Sequence, residues 1–250
     1  MFSKTFSAFC SVVLLYLSHP LSAAPLTAAA VEWPPYQIYD GQEVRGIVSD
    51  MLAEISHRTG LAIHSEPTPM KRMLSDFRDG RTVIDPVSNP AWRSSDQTVS
   101  CYTLPYMQTQ DVILVRKGSR LHVSSAADLH GKKLGCELGY AYADGFDEAF
   151  RQQLISREDV TTGGVKANLM RLSSGRVDGI IVNRLASDYW IRETGMNPDD
   201  FEVAYTFTGY SELFIRLHTS QQALLPVFNQ ALTELKNEGV IDRLIQKYTR

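Results

Sequence analysis

The sequence predicts an α/β fold of two similar lobes with a ligand cleft between them. Three observations lead there. Strand-like apolar stretches alternate with amphipathic helical ones, and such crossovers imply largely parallel sheets. The alternation runs from Val31 to about residue 110 and starts again after Arg116. No low-complexity linker separates the two runs, so crossing strands rather than a flexible tether should join them. Small ligands bind between lobes arranged in this way.

Length and composition agree with that reading. The 250 residues are 44% hydrophobic and 21% charged, ordinary for a globular chain with a real core. The net charge of -3 is spread without acidic or basic blocks, which argues against a nucleic-acid groove or a membrane-surface patch. Residues 1–23 read as a signal peptide, with Lys4, an apolar run from Phe6 to Leu17 and small residues at 22–24. The run is short for a bilayer span. Cleavage is expected near Ala23 or Ala24; it removes one positive charge and no acid, which leaves -4. Export would leave Cys101 and Cys136, and whether they pair is open at this stage. The histidines at 57, 64, 130 and 218 show no metal-ligand spacing, and neither metal nor cofactor is expected.

In chain order, a short strand is expected over Val31–Tyr36, ending in Trp33-Pro34-Pro35-Tyr36. A helix follows over Val48–Arg58, with Val48, Met51, Leu52 and Ile55 on one face and Gly60 as its stop. Leu61–Ser65 reads as a strand. Met70, Met73, Leu74 and Phe77 form a second helical stripe ended by Gly80, and Thr82–Ile84 is a third strand. Pro86-Val87-Ser88-Asn89-Pro90-Ala91-Trp92-Arg93 then reads as a turn leaving that strand's carboxyl end, where open α/β sheets place their ligands. Arg93 offers a planar fork for a carboxylate, and Ser88 offers a hydroxyl. Taken alone, the same stretch reads more readily as a surface turn with a solvated arginine.

The second run opens with a strand over Asp111–Arg116 and a short helix started by Ser125 with Asp128 three residues on. Lys133–Glu137 is a strand, and Gly139 turns it into a helix over Ala141–Leu154. Strands at Val160–Thr162 and Val177–Val182 and helices at Lys166–Ser173 and Arg184–Thr194 continue the alternation. Val203–Phe207 and Glu212–Leu217 are strand-like. Helices over Ala223–Asn237 and Val240–Tyr248 close the chain.

Several phrases, in this order, resemble the family 3 extracytoplasmic solute-binding proteins. They are Trp-Pro-Pro-Tyr at 33–36, Gly-Ile-Val-Ser-Asp-Met-Leu at 46–52, Arg93 followed by Tyr-Thr-Leu-Pro-Tyr at 102–106, and Asp-Leu-His-Gly-Lys-Lys-Leu-Gly at 128–135. Ser-Gly-Arg-Val-Asp at 174–178 and Gly-Val-Ile-Asp-Arg-Leu-Ile-Gln-Lys-Tyr at 239–248 complete the set. The resemblance implies a two-lobed periplasmic binding protein fold with two crossing hinge strands. Lobe 1 would span 25–110 plus 208–250, and lobe 2 would span 111–207. It implies a periplasmic monomer that captures an amino acid or related carboxylate for an ABC permease, with a membrane signalling receptor as the alternative partner. Arg93 would hold the ligand carboxylate with help from Ser88, while Trp33 and Met70 would pack on the ligand. The turn Gly139-Tyr140-Ala141 would present helix amides to the same carboxylate.

Two departures bear on the ligand. Asn183 stands where the family usually carries the acid for the ligand's ammonium, and Ala141 stands where it carries a hydroxyl. Both fall on the amino-acid signature, so a carboxylate without an ammonium is an open alternative. Trp33 and Asn183 also have bland readings, as core packing and as a turn former. Dehydratases share this fold, but Asn183-Arg184-Leu185-Ala186 lacks their acids. The Gly209-Tyr-Ser-Glu212 stretch lacks the second glycine of a nucleophile elbow. No catalytic residue is assigned.

Overall fold

The computed structural model describes residues 24–138, 140, 142–160, 163–208 and 211–249. The expected signal peptide lies outside these residues. The described residues form thirteen strands and seven α-helices: β1 Leu26–Ala30, β2 Ile38–Tyr39, β3 Val44–Arg45, α1 Ile47–Thr59, β4 Ile63–Pro67, α2 Met70–Arg78 and β5 Ile84–Ser88, followed by a 3₁₀ segment at Pro90–Val99. Then come β6 Ser100–Tyr102, β7 Met107–Thr109, β8 Asp111–Arg116, β9 Lys133–Glu137, α3 Phe146–Arg151, β10 Ser156–Val160, α4 Gly164–Ser173, β11 Gly179–Asn183, α5 Arg184–Glu193 and β12 Phe201–Thr206. β13 Ser211–His218, α6 Leu225–Asn237 and α7 Val240–Thr249 end the chain.

The strands form two separate main sheets, which gives the two lobes. The first has the order β4-β1-β5-β13-β6, with β7 pairing off β13, and the second the order β10-β9-β11-β8-β12. β1 runs parallel to β4 and β5, and β9 runs parallel to β10 and β11. The strands that carry the chain between lobes are antiparallel: β7 pairs with the start of β13, and β8 pairs with β11 and β12.

The first strand falls earlier than the sequence suggested, at Leu26–Ala30 rather than Val31–Tyr36. Small alanines let this interior strand, between β4 and β5, be covered on both sides. Ala28 packs into the main lobe 1 core with Met51, Leu52 and Ile55, and Ala29 packs against Met73 and Phe77. Trp33 to Gln37 instead forms a turn, closed by Tyr36 N–H to Trp33 O at 2.8 Å, because prolines 34 and 35 cannot donate to a ladder. Pro35 and Tyr36 then offer their carbonyls to Ile47 and Val48, the first amides of α1. That close approach depends on Gly46, whose φ is 123°, and a Cβ there would lie 2.6 Å from the Tyr36 carbonyl oxygen. Gly46→Ala should therefore cost about 1–3 kcal/mol of stability. Urea unfolding measures it, and an unchanged midpoint would show that the aromatic turn yields freely.

Further differences matter for the site. β5 extends through Ser88, so Pro86 and Ser88 belong to a buried strand and not to a turn. The helix expected from Ala141 begins only at Phe146, capped by Gly145 at φ 80°. Four residues before it, Tyr142, pack back: its hydroxyl accepts the Glu137 amide at 3.0 Å, and its ring is buried. Residues 142–145 therefore lie in a loop held by that ring and not in the first turn of a helix. Cys101 and Cys136 are free thiols, one in each lobe's sheet.

Candidate ligand cleft

The predicted site residues follow the carboxyl ends of parallel strands, where side chains and loop amides escape the sheet. Trp33 follows β1, Met70 opens α2 after β4, Ser88 ends β5, Tyr140 follows β9 and Asn183 ends β11. Arg93 lies in the 3₁₀ segment after β5, at a kink where its φ and ψ leave helical values. Asn89 builds that segment. Its side-chain oxygen accepts the Ala91 amide at 2.8 Å, and its Nδ2 donates to the Glu212 carbonyl on β13 at 2.9 Å.

Arg93 is largely buried, with 12% of its side chain exposed. Its Nε faces Asp85 Oδ2 at 3.4 Å, while among the described residues its Nη atoms meet the Trp92 carbonyl at 3.4 Å and Met70 Sδ at 3.8 Å. The outer fork is thus lightly engaged, the condition for a bidentate carboxylate. The Ser88 hydroxyl at the end of β5 is fully buried and has no hydrogen-bond partner among the described residues. Trp33 packs on Tyr36 at 4.4 Å between centroids and edge-on to Trp92 at 6.5 Å. The structure therefore brings Arg93, Met70 and the Trp33–Trp92 pair onto one wall of lobe 1.

A residue that the sequence reading passed over supports this wall. Arg216, on hinge strand β13, is completely buried. It donates to Asp85 at 3.4 Å, Asp96 at 3.2 Å and Ser100 Oγ at 2.9 Å, and its guanidinium lies 3.7 Å from the Phe77 ring centre. Asp96 also takes Arg78 Nε at 2.8 Å. Asp85 thus stands between Arg93 and Arg216 and holds the Nε edge of the Arg93 guanidinium. The sequence signal was a lone charge inside the apolar run Leu213–Leu217.

From lobe 2, Tyr140 stands across from Arg93. Burial raises its hydroxyl well above the ordinary range and the charges of Glu137 and Asp111 add to that, while the Arg93 charge acts in the opposite direction. Arg157 holds the loop by donating to the carbonyls of Glu137 at 3.2 Å and Tyr140 at 3.0 Å. Its guanidinium stacks near the Tyr142 and Phe150 rings and pairs with Asp159. Ala141 and Gly139 lie outside the described residues.

Asn183 is already occupied. Its Oδ1 accepts the Ala186 amide as the cap of α5 and the Tyr36 hydroxyl at 3.0 Å, and its Nδ2 donates to Thr109 Oγ1. Tyr36 Oη also meets Thr109 at 2.6 Å, so this buried knot ties lobe 1 to lobe 2 beside the hinge. A separate groove of about 650 Å³ lies between β3, α5 and α7. Its Lys247 and Tyr248 both engage Asp50, so it forms a charged seam between the lobes away from Arg93.

Two α/β lobes joined by crossing strands, with the largely buried Arg93 guanidinium on one and the Tyr140 loop on the other, have the form of a two-lobed solute-binding protein. The chain belongs to the bacterial extracellular solute-binding proteins, family 3, whose model matches residues 26–250. It is 26% identical over 218 residues to the L-cystine-binding protein TcyJ of Escherichia coli K12, covering 86% of this chain and 79% of that one. It is 21% identical over 220 residues to a probable histidine-binding protein of Campylobacter jejuni, covering 88% and 82%. Its fold matches an ancestral arginine-binding protein bound to arginine with a TM-score of 0.74 at 19% identity, over 92% of this chain and 100% of that one. Among the described residues no helix is long and apolar enough to cross a membrane, and no group of histidine, cysteine and acidic residues could hold a metal.

Proposed function

We infer that the protein captures a small carboxylate-bearing solute, an amino acid or close relative, in the periplasm and delivers it as a monomer to an ABC permease. The observation that carries this reading is the lightly engaged Nη fork of Arg93, buried on a wall of aromatic and thioether side chains. The solutes named for its relatives, cystine, histidine and arginine, all carry a carboxylate. A carboxylate taken by Arg93 and met by the loop after β9 favours the closed arrangement of the lobes, because only that arrangement makes both contacts.

A thermal-shift panel tests this. The purified, ligand-stripped protein is melted with L-amino acids, L-cystine, and mono- and dicarboxylates. A compound present at about 100 times its dissociation constant adds roughly 2.7 kcal/mol. Arg93→Ala should weaken the compound that binds by about 1.5–3 kcal/mol, since a charge-assisted bond is lost. Undiminished affinity in that variant would remove Arg93 from the site.

A further inference from the structure

Helix α5 belongs to lobe 2 by its place after β11, yet it is packed into lobe 1. Its amino end is capped by Asn183, the residue tied to Tyr36 and Thr109 beside the hinge. Further along, Tyr189 is only 7% exposed and lies in one core cluster with Val48, Met51 and Tyr248 of lobe 1. Leu185 and Trp190 pack against the same cluster. Trp33, on the lobe 1 wall, packs in turn against the lobe 2 cluster that holds Ala186 and Ile191 of α5.

Polar contacts close the far end of the helix. Arg192 Nη2 donates to the Tyr248 carbonyl at 2.9 Å, and its guanidinium lies 5.7 Å from the Tyr189 ring centre. Tyr248 is in the last turn of α7, where carbonyls lack a partner within the helix, so a cation from lobe 2 completes a helix of lobe 1. Tyr248 is itself held, because its hydroxyl and Lys247 both donate to Asp50 of α1. Arg192 lies about 14 Å along α5 from Asn183, at 1.5 Å rise per residue. A swing of about 15°, the size of rigid-body rotations in other switching proteins, would carry that end about 4 Å. The 2.9 Å hydrogen bond does not survive such a displacement, and Tyr189 leaves its apolar seat for water. The contacts along α5 thus belong to one angle between the lobes.

We propose that this seam is a closure latch: Tyr189 and Arg192 hold the lobes together from outside the cleft, so that the protein populates its closed arrangement before any solute binds. A solute then secures an arrangement that the chain has already prepared, and less of its binding free energy goes into closure. The two residues act through lobe angle alone. Their effect is therefore independent of which solute the Arg93 wall takes.

Small-angle X-ray scattering reads the lobe angle directly on the purified, ligand-stripped protein. Wild type is compared with Arg192→Ala, Tyr189→Ser and the double variant, each checked for a cooperative thermal transition. The radius of gyration and the maximum dimension should rise in both single variants and most in the double variant, as the lobes part. Arg192 is 40% exposed, so Arg192→Ala keeps the test decisive even where loss of the buried Tyr189 ring lowers the yield of folded protein. A contact that serves stability alone would lower the melting temperature and leave the scattering of the folded protein unchanged. That result in Arg192→Ala, or a wild type already as extended as the double variant, overturns the latch. No solute enters the experiment, so failure of the capture reading is told separately by the thermal-shift panel.

Discussion

Replacing Arg216 with methionine should destabilise the protein by about 3–5 kcal/mol, the cost typical of removing one partner from a buried charge pair. The side chain is fully buried and satisfies three groups at once, Asp85, Asp96 and Ser100, while its face covers the Phe77 ring. Methionine fills much of the volume but leaves both carboxylates in place. Arg78 and Arg93 remain beside them, which places the cost at the lower end of that range. Denaturant unfolding of wild type, Arg216→Met and Arg216→Lys separates charge from fork geometry. Lysine keeps the charge but cannot reach two carboxylates in a planar array, so it should fall between the other two. A methionine variant within about 0.5 kcal/mol of wild type, the range of ordinary surface substitutions, would show that the network is dispensable. Asp85 freed from Arg216 would also draw more strongly on Arg93, so the same variant should bind its solute less well.

The second large effect is a pH dependence that resides in Glu137. Its carboxyl is pushed from the ordinary value of 4.5 up to about 7, first by burial and then by the Asp111 charge. The folded protein therefore holds a proton there that the unfolded chain releases between those two pH values. Stability from this group is full below pH 4.5 and is lost as pH rises towards 7, the reverse of a salt-bridged acid. The shift corresponds to about 3 kcal/mol at 1.36 kcal/mol per unit. Glu137→Gln removes the titration, so the variant should gain on wild type by that amount between pH 5 and pH 8. The comparison cancels the acids remote from Glu137, which titrate alike in both proteins. A wild-type-minus-variant difference that stays flat over that range would mean that Glu137 is solvated or already paired.

Much of the architecture is legible in the residues. The stripe Val48, Met51, Leu52, Ile55 with Gly60 after it fixes α1 almost to the residue, because helical spacing and an αL stop are local properties. Lys133–Glu137 and the Ser125–Asp128 capping box are equally local and are found where expected. Local signals failed where packing overrode them. The alanine-rich stretch at 26–30 has weak strand propensity, yet it becomes an interior strand of the lobe 1 sheet because only small side chains fit between two covering layers. The helix expected from Ala141 is shortened because the Tyr142 ring is needed in the lobe 2 core and its hydroxyl holds the Glu137 amide.

The sequence by itself determined the two-lobed α/β class, the family and the strand ends at which a ligand can be met. These depend on periodicity and on short motifs read along the chain. Only the tertiary structure decided how charge is distributed across the cleft. Arg216 and Asp85 are 131 residues apart, and Tyr36 and Asn183 are 147 apart. Asp111 and Glu137 become neighbours only because β11 lies between their strands. A side chain's charge can be read from one letter, but its partners and its dielectric surroundings are set by every strand that packs against it.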